Sequence, residues 1–131
     1  MINELAWEIH QNAMAHGWWE ENRTFPEIVA LCHSELSEAL EEYRNGRPMV
    51  CCVNPDCEIL RSRGTGEDVC CNVCGFRDGK AKPEGIATEM ADCIIRILDW
   101  AGAEGIDMDA IIRAKMDYNK TRPYKHGGKV C

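Results

Sequence analysis

Between residues 26 and 44 apolar side chains recur at helical spacing. At about 3.6 residues per turn, Ile28, Leu31, Cys32, Leu36, Ala39 and Tyr43 share one face of a helix. Glu35 and Glu42 fall inside that arc, and Glu38 lies at its edge. A carboxylate on a core-facing surface carries a desolvation cost that few folds accept unless the charge is paired, protonated or bound to a cation. A second acidic pair, Glu89 and Asp92, stands one turn apart in ATEMADCIIRILDW. Two such pairs converging from two helices make an all-oxygen site of the kind that hard divalent ions such as Mg²⁺ prefer. Glu35, Glu38, Glu89 and Asp92 are therefore the expected Mg²⁺ ligands. The plainer reading of each is a solvated surface charge, with Asp92 and Arg96 forming an i, i+4 ion pair.

The chain reads as all-α, a bundle of four helices with one insertion. The first helix is predicted from about Asn3 to His16, with Asn3 as its cap, Gly17 as its stop, and Leu5, Ile9 and Ala13 apolar, joined by Trp7 and Met14. The second starts after Thr24, followed by Glu27 in capping-box spacing, and ends at Asn45 and Gly46. The third is predicted from Pro83 to Gly105, with Pro83 in its first turn and Ile86, Met90, Ile94, Ile97 and Ala101 on its apolar side. Opposite them Thr88, Glu89, Asp92, Arg96 and Asp99 form a narrow polar wedge, so this helix is expected to be covered on both flanks by self-association, as a homodimer or homotetramer. The fourth begins near Asp107 or Asp109 and runs to about Lys120, with Ile111, Ile112, Ala114 and Met116 apolar, before Pro123 blocks continuation.

Residues 47 to 82 differ in composition and read as an insertion into a single domain spanning 1 to 131. Six of the nine cysteines lie between positions 51 and 74. Cys52 and Cys57 form a CxxxxC, Cys71 and Cys74 a CxxC followed by Gly75. Four thiolates at those spacings close a tetrahedral, structural Zn²⁺ site, with Cys51 and Cys70 as competing neighbours. Cys32 and Cys93 read as core residues. A redox role for the CxxC is the alternative, without the strand and helix pattern that accompanies one.

The formal net charge of -7 argues against general nucleic-acid binding. Six basic residues (Arg113, Lys115, Lys120, Arg122, Lys125 and Lys129) nevertheless cluster between 113 and 129 against Asp117 alone. An acidic centre beside a basic tail suits a ligand that arrives as metal plus polyphosphate. No apolar run approaches a membrane span, and MINELAWEIHQNA lacks the features of a signal peptide, so a cytoplasmic protein without membrane partners is expected.

The segments HSELSEALEEYRNG, KPEG, EMADCIIRILD and KMDYNKTRPYKHGGK, in this order and on these predicted helices, resemble the MazG-like all-α nucleoside triphosphate pyrophosphohydrolases of the short phage and bacterial type. The cysteine-rich insert departs from the minimal form of that family but leaves both acidic motifs whole. The resemblance implies a four-helix MazG-like bundle that cleaves a nucleoside triphosphate between the α and β phosphates, releasing a monophosphate and pyrophosphate. With Mg²⁺ on the four acids, Glu38 is the candidate base and Glu42 the alternative. Lys115, Asn119, Arg122 and Lys125 are candidate phosphate or sugar contacts, and Lys82 a weaker one. Trp18, Trp19, His10, Trp7 and Tyr124 are available to meet a base, with Trp7 equally suited to the core and the pair Trp18 and Trp19 equally suited to sealing a subunit contact. The competing reading, from a different class, is a non-catalytic zinc-bearing protein-interaction module.

Overall fold

A computed structural model describes residues 1–53 and 82–124. Among the described residues there are four helices: α1 (Ile2–Ala15), α2 (Phe25–Arg44), α3 (Ile86–Ala103) and α4 (Met108–Lys120). Two short strands, β1 (Cys51–Val53) and β2 (Lys82–Glu84), pair antiparallel with Cys51 opposite Glu84 and Val53 opposite Lys82. The fold is mostly helical, as the periodicity predicts. No helix among the described residues is long and apolar enough to cross a membrane.

The chain divides into two compact units, one of Asn22–Ile97 and one of Met1–Glu21 with Leu98–Cys131. In the first, α2 is launched at Thr24, whose backbone N–H and hydroxyl both donate to the Glu27 carboxylate, at 2.7 and 2.8 Å. Those bonds hold the Glu27 carboxyl below its ordinary pKa. The helix ends at Asn45, with Gly46 in the left-handed region at φ 68°.

The third helix starts later than Pro83. Pro83 is drawn into β2 opposite Cys52, and the helix opens only after Gly85 at φ 107°. A Cβ at Gly85 would stand 2.6 Å from the Pro48 carbonyl oxygen, so glycine is required there on two counts. The close approach supplies what a capping side chain otherwise would: the N–H groups of Ile86 and Ala87 donate to the carbonyls of Pro48 and Met49.

The burial pattern reverses part of the expected faces. On α2 the inward stripe is Ile28, Glu35 and Ala39, whereas Leu36 and Tyr43 are exposed. On α3 Glu89, Cys93, Leu98 and, as expected, Ala101 are buried, while Met90, Ile94 and Ile97 face outward, Ile94 at 55% exposure. The polar wedge of α3 is thus its inner side within this chain. Polar groups from α2 wait there, and Arg96 reaches Glu35 of α2 rather than forming the expected local pair with Asp92.

In the other unit, α1 buries Ala6, while Leu5, Met14 and Trp7 are exposed, Trp7 at 62%. The backbones of α1 and α3 approach at Gly102, where a Cβ would lie 2.6 Å from the Ala6 carbonyl oxygen and 2.8 Å from the His10 Cβ. Asn3 is not the cap of α1; Met1 occupies that position. The Asn3 amide instead donates to Asp107 at 2.8 Å, its carbonyl accepts from the Asp109 N–H at 3.1 Å, and its own N–H donates to the Asp109 carboxylate. Asp107 caps α4 through the Ala110 N–H. These bonds lower both aspartate pKa values and lock the N-terminus of α1 to that of α4. Ile111 and Met116 of α4 are exposed rather than packed.

Candidate metal centre

Helix α2 presents Glu35 and Glu38 one turn apart, and α3 presents Glu89 in its first turn. One carboxylate oxygen from each lies within 4.8 Å of the other two. Three of the four acids singled out by the sequence therefore converge. The fourth, Asp92, lies one turn along α3, outside that trio, but near enough for the Glu35 charge to act on it.

Glu35 and Glu89 are 5% and 8% exposed, and Glu38 is open to solvent. Glu35 has a partner: the Arg96 Nε–H donates to its Oε1 at 2.5 Å. The Glu89 carboxylate makes no hydrogen bond or ion pair among the described residues, and as no fully buried side-chain oxygen there lacks a partner, its oxygens keep contact with solvent. Burial, then the charges of Asp92, Glu38, Glu84 and Glu35, raise its pKa above the ordinary carboxylate value. Asp92 is raised in the same way, by burial first and then Glu35, against the opposing pull of Arg96 and Lys82.

A mostly buried carboxylate without a basic partner, close to two others, is stabilised by a cation. The donor set is all oxygen, and one member of it is accessible from solvent. That combination fits a hard divalent ion such as Mg²⁺. Lys82 adds positive charge nearby but is committed to Glu84 at 2.5 Å. Glu42, the alternative base, lies outside the trio with Arg47 4.0 Å away.

The remaining candidates are distributed otherwise. Lys115, Asn119 and Arg122 are exposed, on α4 and just after it, in the unit that also holds Trp18. The Lys115 ammonium lies over the Tyr118 ring, 5.5 Å from its centre. Lys125 lies outside the described residues, as do Cys57, Cys71 and Cys74; Cys52 falls in β1, and its side chain is likewise outside the description.

One constellation goes beyond the sequence reading. Asp99 of α3 accepts from His10 Nδ1 at 2.8 Å and from the Trp19 indole N–H at 2.9 and 3.0 Å, and the His10 and Trp19 rings meet edge to face at 5.1 Å. An ionised carboxylate only accepts, so it fixes the proton of His10 on Nδ1 and leaves Nε2 for another partner. The sequence places His10 and Trp19 among possible base contacts and Asp99 in the polar wedge. No short-range spacing joins residues 80 to 89 positions apart. The chain matches no protein-family model, no curated protein and no solved structure.

Proposed function

We propose that this chain is a Mg²⁺-dependent nucleoside triphosphate pyrophosphohydrolase, cleaving a ribo- or deoxyribonucleoside triphosphate to the monophosphate and pyrophosphate. The observation that carries the reading is the convergence of Glu35, Glu38 and Glu89, with Glu89 mostly buried and without a basic partner among the described residues. The resemblance of both acidic motifs and the basic C-terminal segment to the MazG-like enzymes supplies the reaction class.

Glu35, Glu38, Glu89 and Asp92 would hold the metal, which when bound supplies positive charge against the triphosphate and makes water more acidic. Glu38, the solvent-accessible member, takes the proton of the attacking water. The new bond joins that oxygen to the α phosphorus; the bond from α phosphorus to the bridging oxygen breaks, and pyrophosphate leaves. Lys115, Asn119, Arg122 and Lys125 are the proposed phosphate contacts, and Trp18 is proposed to stack on the base.

The assembly proposed is a homodimer or homotetramer. Its support is the outward row Met90, Ile94 and Ile97 of α3, together with Leu36, Leu40 and Tyr43 of α2, all exposed. Apolar surface of that extent is characteristic of an interface. Residues 47 to 82 are proposed to form a zinc-bearing insert on Cys52, Cys57, Cys71 and Cys74 in a cytoplasmic protein.

Incubation with a panel of nucleoside triphosphates and Mg²⁺, read out as pyrophosphate, tests the reading. Release that needs Mg²⁺ and disappears in a folded Glu38→Gln variant supports it. The same protein failing to release pyrophosphate from any nucleotide removes it and leaves the interaction module.

A further inference from the structure

The pair between Arg96 and Glu35 joins α3 to α2 inside the acidic cluster. It is made side-on, through Nε, and so uses one of the five guanidinium donors and one of the two carboxylate oxygens. Among the described residues the Arg96 guanidinium makes no other hydrogen bond, and its side chain remains 30% exposed. A guanidinium cannot shed its proton at any ordinary pH. A permanent positive charge therefore stands beside the same carboxylates that would receive a divalent ion, and it is held by the most buried of them.

We infer that Arg96 is the built-in counter-cation of this site: it competes with divalent metal for Glu35 and sets a deliberately weak affinity for metal alone. The inference rests on the metal-binding reading of the cluster. Two effects oppose each other if Arg96 is neutralised. Loss of the pair loosens Glu35, and loss of the charge removes repulsion of the incoming ion. The second dominates, because Glu35 is buried on a regular helix that limits its rotamers, whereas a single and a double positive charge a few ångströms apart repel strongly in a partly desolvated site. An anion that arrives with the metal gives the four unspent N–H donors acceptors of their own. Arg96 thereby makes metal and polyphosphate bind together in preference to metal alone.

The test is calorimetric titration of the full chain with Mn²⁺ alone, for the natural sequence, Arg96→Gln, Arg96→Lys and Glu89→Gln. Arg96→Gln should bind Mn²⁺ at least about tenfold more tightly, and Arg96→Lys, which keeps the charge, within about threefold of the natural chain. Unchanged or weakened binding by Arg96→Gln overturns the inference while leaving the metal site standing. Failure of the natural chain and Arg96→Gln alike to bind Mn²⁺, or equal binding by Glu89→Gln, overturns the metal reading and the inference with it. Should Arg96→Gln lose its helical circular dichroism, the Arg96 Nε–H resonance of the natural chain decides. It should move during Mg²⁺ titration, and a signal unmoved at saturation overturns the proposal.

Discussion

Glu89 of α3 and Glu35 of α2 are two buried carboxylates that face each other within 4.8 Å, and only Glu35 has a basic partner. Both Glu89 and Asp92 have raised pKa values, so the folded protein takes up protons here more readily than the unfolded chain. Their stabilising contribution is complete below the ordinary values of 4.5 and 3.8 and is lost as pH rises through the higher folded values. The metal-free protein, treated with chelator, should therefore melt at a higher temperature near about pH 5 than near about pH 8. Mg²⁺ should raise the melting temperature at the higher pH in the natural chain and not in Glu89→Gln. Asp107 and Asp109 act in the opposite sense: their depressed pKa values stabilise above 3.8, and that contribution is lost as pH falls through the folded values. Melting temperature against pH should consequently pass through a maximum.

Glu38 is the exposed member of the trio, and its side chain makes no hydrogen bond or ion pair among the described residues. Glu38→Gln should lower the rate of pyrophosphate release by about 10²- to 10⁴-fold. Circular dichroism should be unchanged, and the melting temperature without metal should be no lower than that of the natural chain, since the Glu38 charge opposes that of Glu89.

Gly102 has no room for a side chain. Alanine would gain helix propensity of up to about 1 kcal/mol, but its Cβ would lie 2.6 Å from the Ala6 carbonyl oxygen and would force α1 and α3 apart. Gly102→Ala should lose roughly 1–2 kcal/mol net in urea unfolding.

Asp99 accepts from two residues at once, and its removal leaves the Trp19 indole N–H and His10 Nδ1 without their partner. Asp99→Ala should cost roughly 2–3 kcal/mol, with a change in tryptophan fluorescence as Trp19 loosens. Asp99→Asn keeps the shape, offers one acceptor oxygen and should cost less, which chemical denaturation would show.

Ile94 is 55% exposed in the middle of the outward apolar row of α3. If that row is the interface between copies of the chain, Ile94→Asp should convert a sedimenting dimer or tetramer to monomer with its helical content retained. A natural chain that sediments as monomer would remove the oligomer.

The local signals were legible because local chemistry makes them. Thr24 with Glu27, Asn45 with Gly46 and Asp107 each satisfy backbone groups within a few residues of themselves, so the limits of α2 and the start of α4 can be read directly. Glu35 was legible because a carboxylate inside an apolar arc is costly, whereas Glu38, at the edge of that arc, and Glu89, in a polar wedge, were marked only by acids standing one turn apart. Pro83 misled, since an allowed first-turn proline does not reveal that β1 will pair with its segment and that Pro48 and Met49 will cap the helix from across the chain.

Long-range partnership was decided in three dimensions. Periodicity identifies two faces of α3 but not which one turns inward. In the folded chain α2 brings Glu35 to meet Arg96, and the polar face goes in while Met90, Ile94 and Ile97 stay out. Asp99 with His10 and Trp19, and Asn3 with Asp107 and Asp109, are likewise joined only by tertiary structure. By itself the sequence determined which stretches are helical and which acids are too costly to leave unused, because both follow from interactions over one or two turns. Which groups neutralise one another was left to the packing of helices distant along the chain, because electrostatic pairing depends on position in space and carries no period.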